Sequence, residues 1–139
     1  MSLFDITTKG IPDLSNVAEG EYQIQINEVG DPVTKPNAEG HDFSYCKFVC
    51  EIVGEPTAKD IYHMVFTPPI IPNPTPSQEK KTKSKTTIIK KFLRGFGFDP
   101  EDDFPDGADF VGKTANVILG VKIDEYGTNN FVKSFIEGA

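Results

Sequence analysis

The sequence predicts a mainly β barrel of five short strands with one α-helix between the third and fourth. Three observations carry this. Several segments alternate apolar and polar residues, one apolar stripe has helical spacing, and glycine or proline clusters separate them. At 139 residues the chain is the size of one domain, residues 1–139, and can bury a proper core.

Residues 1–18 carry no sustained period and read as an N-terminal arm, with Leu3, Phe4 and Ile6 able to dock. From Glu21 to Val29, Tyr22, Ile24 and Ile26 alternate with Gln23, Gln25 and Asn27, the pattern of a half-buried strand. Gly30 to Asp42 is turn chemistry and reads as a long loop. Phe43 to Val53 is a second strand, with Cys46, Phe48, Cys50 and Ile52 on one face and Tyr45, Lys47, Val49 and Glu51 on the other. Asp60 to Thr67 is a third.

Residues 68–87 read as a connector, proline-rich and then lysine-rich. Five of the eleven prolines fall between Pro68 and Pro76, which excludes a central strand or a helix interior. Thr75-Pro76-Ser77-Gln78 offers a helix start, with Thr75 as N-cap and Gln78 closing a capping box. Ile88, Ile89, Phe92, Leu93 and Phe96 form the helical stripe, and Gly95 or Gly97 can end it. The wholly polar stretch 78–87 is open to two readings, exposed first turns of that helix or a basic loop. Residues 99–110 read as an acidic loop, since 99–109 holds six acids and no base. Lys113 to Ile123 is a strand with Ala115, Val117, Leu119, Val121 and Ile123 inward. Residues 125–130 are a turn, and Phe131 to Glu137 is the last strand. Three strands, a helix and a hairpin is the element order of the OB-fold, a five-stranded Greek-key barrel whose ligand usually crosses strands two and three. An α+β sandwich and a jelly-roll fragment are the alternatives.

Net charge is −7, but its distribution is uneven. Seven of the fourteen basic residues lie between Lys80 and Arg94 with no acid among them, so that segment is +7 and the remainder, seven bases against 21 acids, is −14. Such a body repels polyanions everywhere except at one place. Cys46 and Cys50 share a strand face about 13 Å apart, too far for a disulfide, and read as two buried thiols. No run of eighteen apolar residues and no charged-then-apolar start is present. The expectation is a cytoplasmic chain without a membrane partner, monomer or homodimer.

Gly20-Glu21-Tyr22 opens a strand, Phe92-Leu93-Arg94-Gly95-Phe96-Gly97 closes the helix, and Phe110-Val111-Gly112-Lys113 leads into Val117-Ile118-Leu119-Gly120-Val121. With the hairpin Asp124-Glu125-Tyr126-Gly127-Thr128-Asn129-Asn130, these segments resemble a family of small bacteriophage proteins found among replication and recombination genes. Members of that family look like OB-fold single-stranded DNA-binding proteins. The likeness covers about residues 18–137, through glycine punctuation and alternation rather than a catalytic signature. Two departures stand out. The chain ends Lys133-Ser134-Phe135-Ile136-Glu137-Gly138-Ala139, without the acidic tail through which many such proteins recruit enzymes. The 68–76 segment and the lysine run are also more elaborate than a short connector.

The resemblance implies non-sequence-specific binding of single-stranded DNA in phage-type replication or recombination, in the host cytoplasm, with other phage proteins as further partners. That chemistry needs flat rings for bases and cations for phosphates. The candidates are Phe43, Tyr45 and Lys47 on the second strand, Tyr62 on the third, Lys80, Lys81, Lys83 and Lys85 in the lysine run, and Tyr126, Asn129, Phe131 and Lys133 on the last hairpin. The competing reading is a protein–protein module on the same barrel, a replisome accessory or virion component. No enzyme, cofactor or metal is expected. His41 and His63 are the only histidines, and Gly95-Phe96-Gly97 follows a helix instead of preceding one. The aspartates at 102, 103, 106 and 109 lack the closing glutamate of a calcium loop.

Overall fold

The structure is a computed structural model and describes residues 3–7, 9–10, 13–125 and 127–136. It is mainly β, an antiparallel six-stranded sheet with one long helix. The strands are β1 (Gly20–Val29), β2 (Val33–Pro36), β3 (Asp42–Ile52), β4 (Ile61–Phe66), β5 (Thr114–Asp124) and β6 (Gly127–Phe135). Helix α1 (Pro76–Gly95) joins β4 to β5, and a single helical turn, α2 (Gly107–Phe110), lies within the acidic segment.

Hydrogen bonding gives the order β4–β3–β1–β5–β6. The extra strand β2 arises inside the expected loop 30–42. It pairs with Asp42–Tyr45 of β3, while β1 pairs with Phe48–Ile52, so the two follow one another along the same antiparallel partner. Pro32 has no N–H for a ladder, and Gly30 N–H bonds Lys47 O at 2.8 Å, so one bent strand is divided in two. The β2–β3 turn is closed by Asn37, whose Oδ1 accepts from the backbone N–H groups of Glu39 and His41, with Gly40 at φ 83°.

The core lies between the sheet and the second half of α1. Ile24, Ile26, Phe48, Cys50, Ile52, Ala115, Val117 and Leu119 point into it as alternation requires, and Phe92, Leu93 and Phe96 close it from the helix. Phe48 packs at 4.9 Å from the Phe92 ring and 5.0 Å from Phe110. The seam between β4 and β6 is filled by rings, with His63 and Phe135 at 5.3 Å, and no ladder joins these two strands among the described residues.

The capping box forms as the sequence predicts. Gln78 N–H donates to Thr75 Oγ1 at 3.2 Å, and Thr75 N–H donates to Gln78 Oε1 at 2.9 Å. This start makes 78–87 helical, which resolves the two readings of that stretch and confines the extended connector to the residues before Thr75.

Several expectations change. Ile88 is 67% exposed, because the core reaches only the last two turns of α1. Val121 and Ile123 are exposed, since β1 covers β5 only up to Leu119 and the hairpin runs on without a neighbour. Residues 127–130, expected in a turn, are strand: the ladder extends to the Asp124–Gly127 pair, with Gly127 at φ 104°. Leu3, Phe4 and Ile6 do not dock and are exposed. Contacts to the body come instead from Ser15, which bridges Ala58, and Val17, whose N–H and C=O both bond the buried Asn130 amide.

Helix α1 meets β6 closely at Gly95, where a Cβ would fall 2.7 Å from Phe135 Cδ1. Phe135 cannot yield easily, held by His63, Phe92 and Phe96. Overpacking then outweighs the gain in helix propensity. Gly95→Ala is expected to lower unfolding free energy by about 1–2 kcal/mol in denaturant titration; an unchanged midpoint would show that Phe135 is free to move.

Candidate nucleic-acid interface

The alternation that buries Phe48, Cys50 and Ile52 turns Phe43, Tyr45, Lys47, Val49 and Glu51 to the outer face of β3. The β4 register places Phe66 opposite Tyr45, Met64 opposite Lys47 and Tyr62 opposite Val49. On the other edge, β2 sets Val33 beside Tyr45 and Lys35 beside Phe43. The outer face therefore carries a contiguous set of rings and ammonium groups.

Their spacing is tight. The ring centroids of Tyr45 and Phe66 are 5.7 Å apart, and Phe43 lies 6.4 Å from each of them. Lys35 Nζ sits 5.1 Å above the Tyr45 ring and Lys47 Nζ 5.4 Å from that of Tyr62. Tyr62 is 60% exposed and Phe66 50%, so these two rings meet solvent, while Phe43 and Tyr45 are half-buried. Exposed cation–π contacts of this kind contribute roughly 0.5–1 kcal/mol, whereas a stacked base contributes about 1–3. The acids of this face, Glu51 and Glu28, cluster at one end, where Glu28 pairs with Val49.

Phe43, Tyr45, Lys47 and Tyr62 are thus brought together as expected. Phe66 and Lys35 join them and were missed. Phe66 shares the strand parity of Tyr62, which places it on this face from sequence alone, whereas Lys35 lies in a four-residue strand too short to show a period. Lys80, Lys81, Lys83 and Lys85 lie on the exposed first half of α1 but point different ways. Lys81 and Lys85 border a groove shared with Asn37, whereas Lys83 lines a separate hollow beside Glu79.

The hairpin candidates fall elsewhere. Asn129, Phe131 and Lys133 lie on β6, which is hydrogen-bonded to β5 and meets β4 at the ring-filled seam, so they flank the β3–β4 pair and are not part of it. Phe131 covers Gly120, where a Cβ would meet its ring at 2.8 Å, and Lys133 Nζ is paired with Glu19 Oε1 at 2.7 Å. Asn129 is a half-buried ladder residue opposite Lys122 rather than a turn residue. Tyr126 lies outside the described residues.

Behind this face, the inward side of β4 carries His63. Its ring stacks on Phe92 at 5.5 Å, and burial there pushes its pKa down to about 4. Cys50 is buried in the core, and desolvation with a contribution from Asp60 pushes its thiol up to about 12. The Cys46 thiol donates to Gly30 O at 2.9 Å, and burial raises its pKa too. Both cysteines are free. Among the described residues no cluster of His, Cys, Asp or Glu could hold a metal ion, and no helix is long and apolar enough to cross a membrane.

A histidine whose folded pKa lies below its unfolded value of about 6.5 supports the fold fully above that value and loses its contribution as pH falls toward 4. The shift corresponds to at most ~3 kcal/mol. His63→Phe is expected to flatten the stability–pH curve between about pH 6.5 and 4 relative to wild type; parallel curves would show that His63 titrates normally.

Compared with known proteins, the chain matches no family model and no curated sequence.

Proposed function

We propose that this chain binds single-stranded DNA without sequence preference, on the outer face of β3 and β4, in replication or recombination of the bacteriophage type. The supporting observation is the contiguous arrangement of Phe43, Tyr45, Phe66 and Tyr62 with Lys35 and Lys47 among them. Stacking platforms beside cations are what sequence-tolerant strand binding requires. Bases in a duplex are already stacked on one another, so exposed rings offered for stacking favour a single strand.

The fold reading belongs to the same proposal. With β1 and β2 counted as one bent strand, the order β4–β3–β1–β5–β6 and a helix between β4 and β5 fit a five-stranded OB barrel, with β4 and β6 meeting at the ring-filled seam. In that fold the face crossed by ligand is the one that carries the rings here.

Fluorescence anisotropy with oligonucleotides of roughly 10–40 nucleotides tests the reading. Salt-sensitive preference for single strands over duplex is expected. Tyr62→Ala and Tyr45→Ala should each weaken binding roughly five- to 150-fold, the equivalent of one lost stack of about 1–3 kcal/mol, with the circular dichroism spectrum retained. Absence of binding at low salt would overturn the assignment and favour a protein-docking role for the same face.

A further inference from the structure

We propose that the bound strand leaves the β3–β4 face at its Phe43 end and enters the groove between α1 and β4, where one nucleotide lodges with its phosphate at Lys81 and Lys85. This rests on the single-stranded DNA reading and assigns the route the strand takes.

The groove is continuous with the aromatic face, because Phe43 and Phe66 belong to both. It is about 440 Å³, within the ~300–1,000 Å³ of clefts that hold small ligands, and Ile88 and Lys85 form its helix side. Ile88 is the stripe residue that the core leaves 67% exposed, so an apolar surface is available to a base there. Lys81 lies one helical turn before Lys85 and lines an adjoining hollow that shares Asn37, Pro69 and Lys85 with the groove and also carries Glu39. The Oδ1 of Asn37 is engaged by two backbone N–H groups, which leaves its Nδ2 as the hydrogen-bond donor offered to a ligand. A lone donor suits an unselective site, since every base carries an acceptor.

Charge sets the direction of exit. Glu28 and Glu51 occupy the Val49 end of the face, so a polyanion is turned away there. At the opposite end Lys35 stands beside Phe43 and Lys85 and Lys81 follow, three ammonium groups against the carboxylates of Asp42 and Glu39. The remaining lysines of the run are off this route: Lys83 lies across the proline connector with Glu79, and Lys80 borders none of these hollows.

The test compares full-length wild type, the K81A/K85A pair, the K80A/K83A pair and Ile88→Glu, titrated with oligothymidylates of increasing length at several salt concentrations. Each phosphate neutralised on a single strand contributes about 0.7 to the log–log salt slope. K81A/K85A should therefore reduce the slope by about 0.7, for the one phosphate held there, and shorten the length at which affinity saturates, while K80A/K83A leaves both unchanged. Ile88→Glu, at an exposed position, should weaken long oligonucleotides but not the shortest that bind. Equal slope changes in the two lysine pairs, or none in either, would overturn the route while leaving the Tyr62 result, and the DNA reading, standing. Failure of wild type to bind any oligothymidylate would instead remove the DNA reading itself.

Discussion

Everything on the outer surface depends on where Phe48 sits. Its ring is wedged between Phe92 of the helix and Phe110 at the end of the short helical turn, at 4.9 and 5.0 Å. A buried phenylalanine contributes on the order of 1.5–3 kcal/mol, and a one-residue slip of β3 would forfeit it together with Cys50 and Ile52. The register of β3 is therefore set from inside. Because side chains alternate strictly, that same register dictates that Phe43, Tyr45 and Lys47 face out. The core and the candidate interface are two sides of one constraint.

The strands on either side inherit it. β4 pairs with β3 so that Phe66 and Tyr62 share the outer face while His63 and Val65 face in. β2 delivers Lys35 only because the backbone breaks at Gly30 and Pro32 and then resumes along the same neighbour. An acidic body surrounds this cationic strip. The concentrated positive charge, Lys80 to Arg94, lies on α1, while the face of β3 and β4 carries Lys35 and Lys47.

Much of this was legible in the residues. Alternation placed β1, β3 and β4 within a residue or two, and Thr75-Pro76-Ser77-Gln78 announced the helix start because a capping box is a local interaction that needs no tertiary partner. What could not be read depends on neighbours far along the chain. Ile88 has the periodicity of a core residue, yet whether it is covered depends on how far the sheet extends beneath α1. Val121 and Ile123 alternate as faithfully as Val117 and Leu119, but β1 ends before reaching them. β2 has four residues, one of them proline, too short for any period to show. Lys81 and Lys83 differ only in which side of the proline connector they flank, a distinction invisible in a run of lysines.

The environment of the two sulfurs has a practical side. A thiol held near 12 in the core, and a second one hydrogen-bonded to a carbonyl beneath the β1–β2 bend, both carry little thiolate at neutral pH. Maleimide reagents will meet a buried Cys50 and a half-buried Cys46, so Cys46 is the native thiol to replace before a single cysteine engineered on the surface carries a fluorophore.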